Sequence, residues 1–440
     1  MAGRLAAGAA AVEITPKDSQ FLYGYPHVER YSTGVHDPLW TSALYLSDGA
    51  TEVMFIANDI VYVIKDVAAR ARERIEAATS IPASNIMITA THTHSGPKTV
   101  TNLSCEADTV VPKMDENYVL FMEDSIVDAA AEAHGSAEPA EVGLAVANGE
   151  GVGTNRRDPS GPADPQVPVL MVRAAEGGRN IAAMTVYSMH PTVLHEDSTL
   201  VSGDFPGMTR QYLQQNVLGS DCPLLYHTGP EGNQSPRHVT KDNTFAEAKR
   251  LGTILGEAVE SVIQRISFTS DVKLGALRRF VDLPGRLFPP VEQAREKLKR
   301  AIQHLEHLRQ SGAPRQEVRT AECDWFGAEE TLTLAAAAVD GRLDAVRRSC
   351  LPAEIQIITA GPWAFVGWQG EMFVEYSLAV KERYKNTFVI ALANGELQGY
   401  IVTPEAAEEG GYEASNALFA PETGSVLVSE TLEMLAEIRE

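Results

Sequence analysis

Apolar residues along the chain follow two spacings. Segments 40–48 (WTSALYLSD), 52–59 (EVMFIAND) and 85–91 (NIMITAT) are short and apolar, whereas 64–79 repeats apolar residues every three or four positions. The first pattern predicts strands and the second a helix. The N-terminal stretch that ends VEITP is strand-like as well. A polar, Gly- and Pro-rich segment follows at 148–166 (NGEGVGTNRRDPSGPADPQ), predicting a long loop that returns to strands at 167–174 (VPVLMVRA) and 181–189 (IAAMTVYSM). Such alternation predicts an α/β fold, a mixed β-sheet core covered by helices. A long loop inside a compact domain is more often functional than idle.

From about 290 to 349, Glu, Lys, Arg, Leu and Ala recur at helical spacing, as in EQAREKLKRAIQHLEHLRQ, and predict a helical insertion or cap. Strand patterns return in AEIQIITAG, WAFVGWQ and FVIALAN, and SETLEMLAEIRE predicts a closing amphipathic helix. No internal repeat or low-complexity linker divides the chain, so 1–440 reads as one domain with a helical excursion.

Charge narrows the function classes. Lys and Arg number 37 against 59 Asp and Glu, a net charge of −22 without a basic run, which argues against nucleic acid and against anionic lipid surfaces. No stretch approaches the roughly 18 to 20 apolar residues of a membrane span. The N-terminus lacks the apolar core of a secretory signal and reads as a cytoplasmic start. Cys105, Cys222, Cys323 and Cys350 lie far apart without CxxC pairing and read as reduced thiols. Whether the chain forms a homo-oligomer is left open.

Histidines collect at strand ends. His92 and His94 fall in THTHSGP after the apolar NIMITA, and on an extended segment two residues apart they would project to one side. That spacing suits a metal and is equally at home in a structural pair. His190 ends a second apolar strand and is followed by another proline turn, with His195 and Glu196 close behind as either ligands or a solvated loop. Asp204 in SGDFPG either orients an imidazole or caps a helix beginning near Pro206. Ser235 lies in GPEGNQSPR after the strand-like PLLYH, outside any GxSxG nucleophile elbow; its hydroxyl meets substrate or water, or the loop merely caps a helix. Glu371 follows a strand and a glycine in WQGEMF, and Tyr400 and Tyr412 bracket a proline turn. A carboxylate is the usual complement to two imidazoles in a catalytic zinc site.

THTHSGP, NRRDP, HPT with VSGD, GNQSPR, GE and the Y…TPE…GYE tail occur in this order, and together they resemble the catalytic domain of the neutral (non-lysosomal) ceramidase family. The resemblance implies a zinc ion (Zn2+) held by His92, His190, Glu371 and Tyr400. It further implies His94 as acid or water partner, Arg156 as substrate or oxyanion contact, Ser235 as the disputed catalytic serine and Tyr412 beside the scissile carbonyl. GNQSPR departs from the Gly-Asp-Val-Ser-Pro-Asn type of sequence usual in ceramidases, and the length leaves out the C-terminal β domain of secreted members. The implied activity is zinc-dependent hydrolysis of a carboxylic amide, with an ester or lactone, or a non-catalytic binding protein, as alternatives. A small polar amide, rather than ceramide, is the expected small-molecule substrate.

Overall fold

The computed structural model describes residues 5–439. Its larger sheet is built from β1 (Ala6–Glu13), β2 (Trp40–Ser47), β3 (Glu52–Asn58), β4 (Ile86–Ala90), β5 (Glu138–Asn148), β6 (Gln166–Ala174), β7 (Asn180–Tyr187) and β8 (Leu224–Thr228). The spatial order is β8-β7-β6-β5-β1-β2-β3-β4. Neighbours in the middle run antiparallel, while the edge pairs β3/β4 and β7/β8 are parallel. A second sheet orders β9 (Leu274–Val281), β10 (Ala353–Ala360), β11 (Trp363–Trp368) and β12 (Thr387–Ile390) side by side.

Alternation along the strands sorts the core into layers. Ala43 and Tyr45 of β2 pack beneath helices α1 (Lys65–Thr79) and α2 (Glu116–Gly135), whereas Leu44 and Leu46 meet Ile358, Phe365 and Phe388 of the second sheet. The other half of the large sheet is covered by α3 (Asp204–Leu213) and α4 (Phe245–Ile263). The outer face of the small sheet is covered by α6 (Arg315–Asp340), α7 (Arg342–Cys350), α8 (Val374–Arg383) and the closing helix α9 (Thr423–Glu437). Helix α2 escaped the reading above, although Val119, Met122, Ile126, Ala129 and Ala133 recur at helical spacing and Asp115 caps it by accepting from the Asn117 and Tyr118 amides.

The helical excursion expected from about 290 to 349 is α5 (Val291–Ser311), α6 and α7. The closing helix starts at Thr423, ahead of the Ser-Glu that suggested its start. FVIALAN is a strand only as far as Ile390; Leu392 and Asn394 then adopt left-handed φ values of 54° and 62°. The reason is a seam. The large sheet curls until its edges β4 and β8 meet, with Thr89 Oγ1 2.7 Å from His227 Nδ1 and the Thr228 hydroxyl donating to the Thr91 carbonyl. Residues 391–394 lie along it: the Ala391 amide bonds Thr228 O, and the Asn394 amide bonds Ile88 O.

Candidate functional site

That closure brings the carboxyl ends of β4 and β7 together, and each delivers a histidine. His92 adopts φ 67°, so the pair His92 and His94 is not extended as alternation implied; the turn nevertheless leaves their rings 5.0 Å apart. The His92 amide bonds Ile60 O and its Nδ1 lies 2.9 Å from Val61 O. His190 Nδ1 lies 2.8 Å from Glu231 O and 3.2 Å from Gln234 O. A carbonyl only accepts, so both imidazoles carry their proton on Nδ1 and turn a bare Nε2 inward. The two Nε2 atoms stand 3.1 Å (His190) and 3.5 Å (His92) from one oxygen, Glu371 Oε2.

Three lone pairs therefore face one another in a buried place, an arrangement that asks for a cation between them. Glu231 adds a fourth donor within reach, and both of its carboxylate oxygens are buried without a hydrogen-bond partner among the described residues. His94 offers a third imidazole beside His92 and His190. Burial pushes Glu371 up; were His92 and His190 protonated at Nε2, their charge and hydrogen bonds would outweigh it and hold the group well below the usual carboxylate range. Glu231 is driven well above that range by burial and then by the charge of Glu371. Burial, followed by the Arg156 charge, pushes His190 down to about 4. The Glu371 carboxylate, the imidazoles and the Glu231 carboxyl, which a cation's charge would ionise, fit a divalent ion such as zinc.

Glu371 is placed by a two-residue parallel pairing, Glu371–Met372 with Tyr400–Ile401, which sets Tyr400 directly opposite it. Tyr62 donates to Glu371 Oε1 at 2.5 Å. Gln234–Ser235 pairs antiparallel with Thr154–Asn155, so the polar loop of 148–166 is tied beside the GNQS segment. Arg156 follows directly, with its amide bonded to Asn233 O and its Nε donating to Glu413 at 2.7 Å. Its guanidinium lies over the Tyr400 ring at 5.1 Å, and its Nη2 is buried without a hydrogen-bond partner among the described residues. These groups open into a cavity of about 670 Å³ whose wall includes His94, Arg156, Ser235, Tyr400 and Tyr412. A smaller recess of about 60 Å³ reaches from there to His92 and Glu371.

Residues 6–223 match the family model for the N-terminal part of neutral/alkaline non-lysosomal ceramidases. Over those residues the chain belongs to the neutral ceramidase family. It is 23% identical over 314 residues to a neutral ceramidase of Mycobacterium tuberculosis, covering 63% of this chain and 48% of that protein. Against the neutral ceramidase of Pseudomonas aeruginosa it is 23% identical over 312 residues, 62% of this chain and 46% of the other. The chain thus spans about half the length of these curated relatives. The crystal structure of the P. aeruginosa neutral ceramidase superposes with a TM-score of 0.75 at 18% identity, covering 98% of this chain and 74% of that one, so the ceramidase fold is shared.

Of the residues singled out in the sequence, the structure gathers His92, His94, His190, Glu371 and Tyr400 around one point, and sets Arg156, Ser235 and Tyr412 around the adjoining cavity. His195 and Glu196 stay outside the cluster. The His195 ring packs 5.2 Å from Tyr25, and Glu196 pairs with Arg319 at 3.0 Å. Asp204 neither touches an imidazole nor precedes a helix at Pro206: it is itself the first residue of α3, and its carboxylate accepts from the Leu194 and Phe205 amides. The proline turn between Tyr400 and Tyr412 is a short helix, Pro404–Glu409. Glu231, Tyr62 and Glu413 escaped the reading. Glu231 sits within the quoted GPEGNQSPR; Tyr62 lies in an apolar run that carries no signal, and Glu413 in a tail read for its tyrosines.

Proposed function

We propose that the chain is a zinc-dependent hydrolase of a carboxylic amide, with His92, His190, Glu371 and Tyr400 holding the ion and Glu231 adding a second carboxylate. The observation that carries this reading is the convergence of two bare Nε2 atoms on Glu371 at the base of a cavity lined with further polar groups. The family membership supports the amide, since the relatives are named as ceramidases. A bound ion supplies a positive centre that acidifies water and polarises a carbonyl.

The chain's own groups do the rest. Arg156, through its unpartnered Nη2, and Tyr412, through its hydroxyl, donate to the carbonyl oxygen as negative charge develops there. His94 takes the proton that the attacking water loses and delivers it to the departing nitrogen. The Ser235 hydroxyl orients substrate or water. It also accepts from the Arg237 amide at 3.3 Å, which alone would make it a loop cap.

The test joins metal content to turnover. The purified protein is expected to carry about one zinc per chain, to release amine from N-acyl amides, and to lose that activity on chelation. Ser235→Ala is expected to retain the metal while turnover falls by about 100-fold, the scale of losing one oriented polar contact to the reacting atoms. Near-normal turnover in that variant would reduce Ser235 to a cap, and turnover unaffected by metal removal would overturn the metal mechanism.

A further inference from the structure

The cavity outside the proposed metal cluster is lined in part by charged groups. Arg156, Arg157, Arg237 and Arg319 all line it. Three of the four are neutralised by carboxylates: Arg156 and Arg157 by Glu413, and Arg319 by Glu196 and Glu322. Arg237 has no such partner among the described residues; its side chain meets only the Thr320 hydroxyl of α6, at 3.3 Å. Its place is set by the site itself, since it stands two residues after Ser235 and its amide bonds the Ser235 oxygen.

The same wall carries four carboxylates, Asp158, Asp324, Glu409 and Glu413. Asp158 accepts from the Ser160 amide and hydroxyl, Glu409 and Glu413 are held by the arginines, and Asp324 lies close enough to Lys297 to oppose the fall of its ammonium pKa. Cys323, on α6 between these groups, has its thiol pKa raised by burial and drawn back chiefly by Arg319, Arg237 and Arg156. The wall thus balances four arginines against four carboxylates, and Arg237 is the arginine of this set whose charge no carboxylate meets among the described residues. Tyr25 and Phe326 add aromatic surface to the same cavity.

We infer that the amide cleaved here carries an anionic group, carboxylate or phosphate, which Arg237 binds. Arg237 is then a specificity residue, and the fork of its guanidinium suits either anion. The inference rests on the reading that this cavity is where the amide is hydrolysed.

Three probes with one acyl chain separate the cases: decanoylglycine, the phosphate ester of N-decanoylethanolamine, and neutral N-decanoylethanolamine. For the zinc-loaded protein we expect kcat/KM for at least one anionic probe to exceed that of the neutral one by about tenfold, the worth of one charge-assisted pair. The better of the two anionic probes identifies the anion. Arg237→Gln should bring the ratio close to one, and Arg237→Lys should restore part of it. A wild-type ratio near one, or a ratio unchanged in Arg237→Gln, overturns the inference. Should none of the probes be hydrolysed, the same ratio is read from their dissociation constants by calorimetry; a retained preference for anion then sinks the amidase reading alone, and its absence sinks this inference.

Discussion

His92 and His190 each commit one ring nitrogen to a main-chain carbonyl, and that choice makes the other nitrogen available. Such outer contacts fix the tautomer and the ring plane together, so the donor set needs no rearrangement to receive an ion. His195, five residues beyond His190, lacks both features: its ring packs against Tyr25 and its Nδ1 faces Glu196 at 3.5 Å. His190→Ala and Glu371→Ala are therefore expected to leave little bound metal after dialysis, whereas His195→Ala should keep close to the wild-type content, as read by elemental analysis. The reverse pattern would move the ligand role to His195.

At the scale of elements, the site depends on how closely the segment after β8 approaches the strand that carries Glu371. The Gly232 amide bonds Met372 O at 2.8 Å, and a Cβ at Gly232 would lie 2.8 Å from Met372 O and 2.9 Å from Glu371 O. Only glycine permits that approach. Gly232→Ala is expected to pry Glu231 and the His190 carbonyl partners away from Glu371, weakening metal affinity by about 10- to 100-fold, the usual scale for disturbing such support. Stability should fall by about 1–3 kcal/mol, as for other overpacked sites. Competition with a chelator measures the first and thermal unfolding the second. Gly135→Ala, where no atom lies within 4 Å of the added carbon, serves as the control.

Across the whole molecule, the helical excursion is joined to the body by buried polar contacts as well as by apolar packing. Glu330 of α6 is buried, accepts from Asn416 Nδ2 at 2.7 Å, and lines the recess that leads to His92 and Glu371. Burial pushes its carboxyl up to about 8 from an ordinary 4.5, against the lowering effect of Asn416. The folded chain therefore holds a proton that the unfolded chain has released between about pH 4.5 and 8, and stability declines as pH rises through that window. The groups sharing its surroundings are Glu329, His27 and Tyr412. Between pH 6 and 9 the melting temperature of the wild type is expected to drop more than that of Glu330→Gln; equal drops would remove Glu330 as the cause. Much of this molecule was legible in its residues. The two spacings of apolar positions located most strands and the helical excursion, because each period is local and a strand or helix must bury the face that the period defines. The strand-end histidines and Ser235 stood out because polar groups with turn residues interrupt apolar runs there, whereas Glu371 drew notice only as the carboxylate that complements two imidazoles and through the family resemblance. What the sequence left undecided is long-range. The curl that joins β4 to β8 sets His92 beside His190, a two-residue pairing sets Glu371 beside Tyr400, and packing of α6 over the cavity brings Glu330 and Thr320 to it. Glu231 and Tyr62 acquire meaning only there, because the burial and lone-pair crowding that set them apart arise from segments far away in the chain.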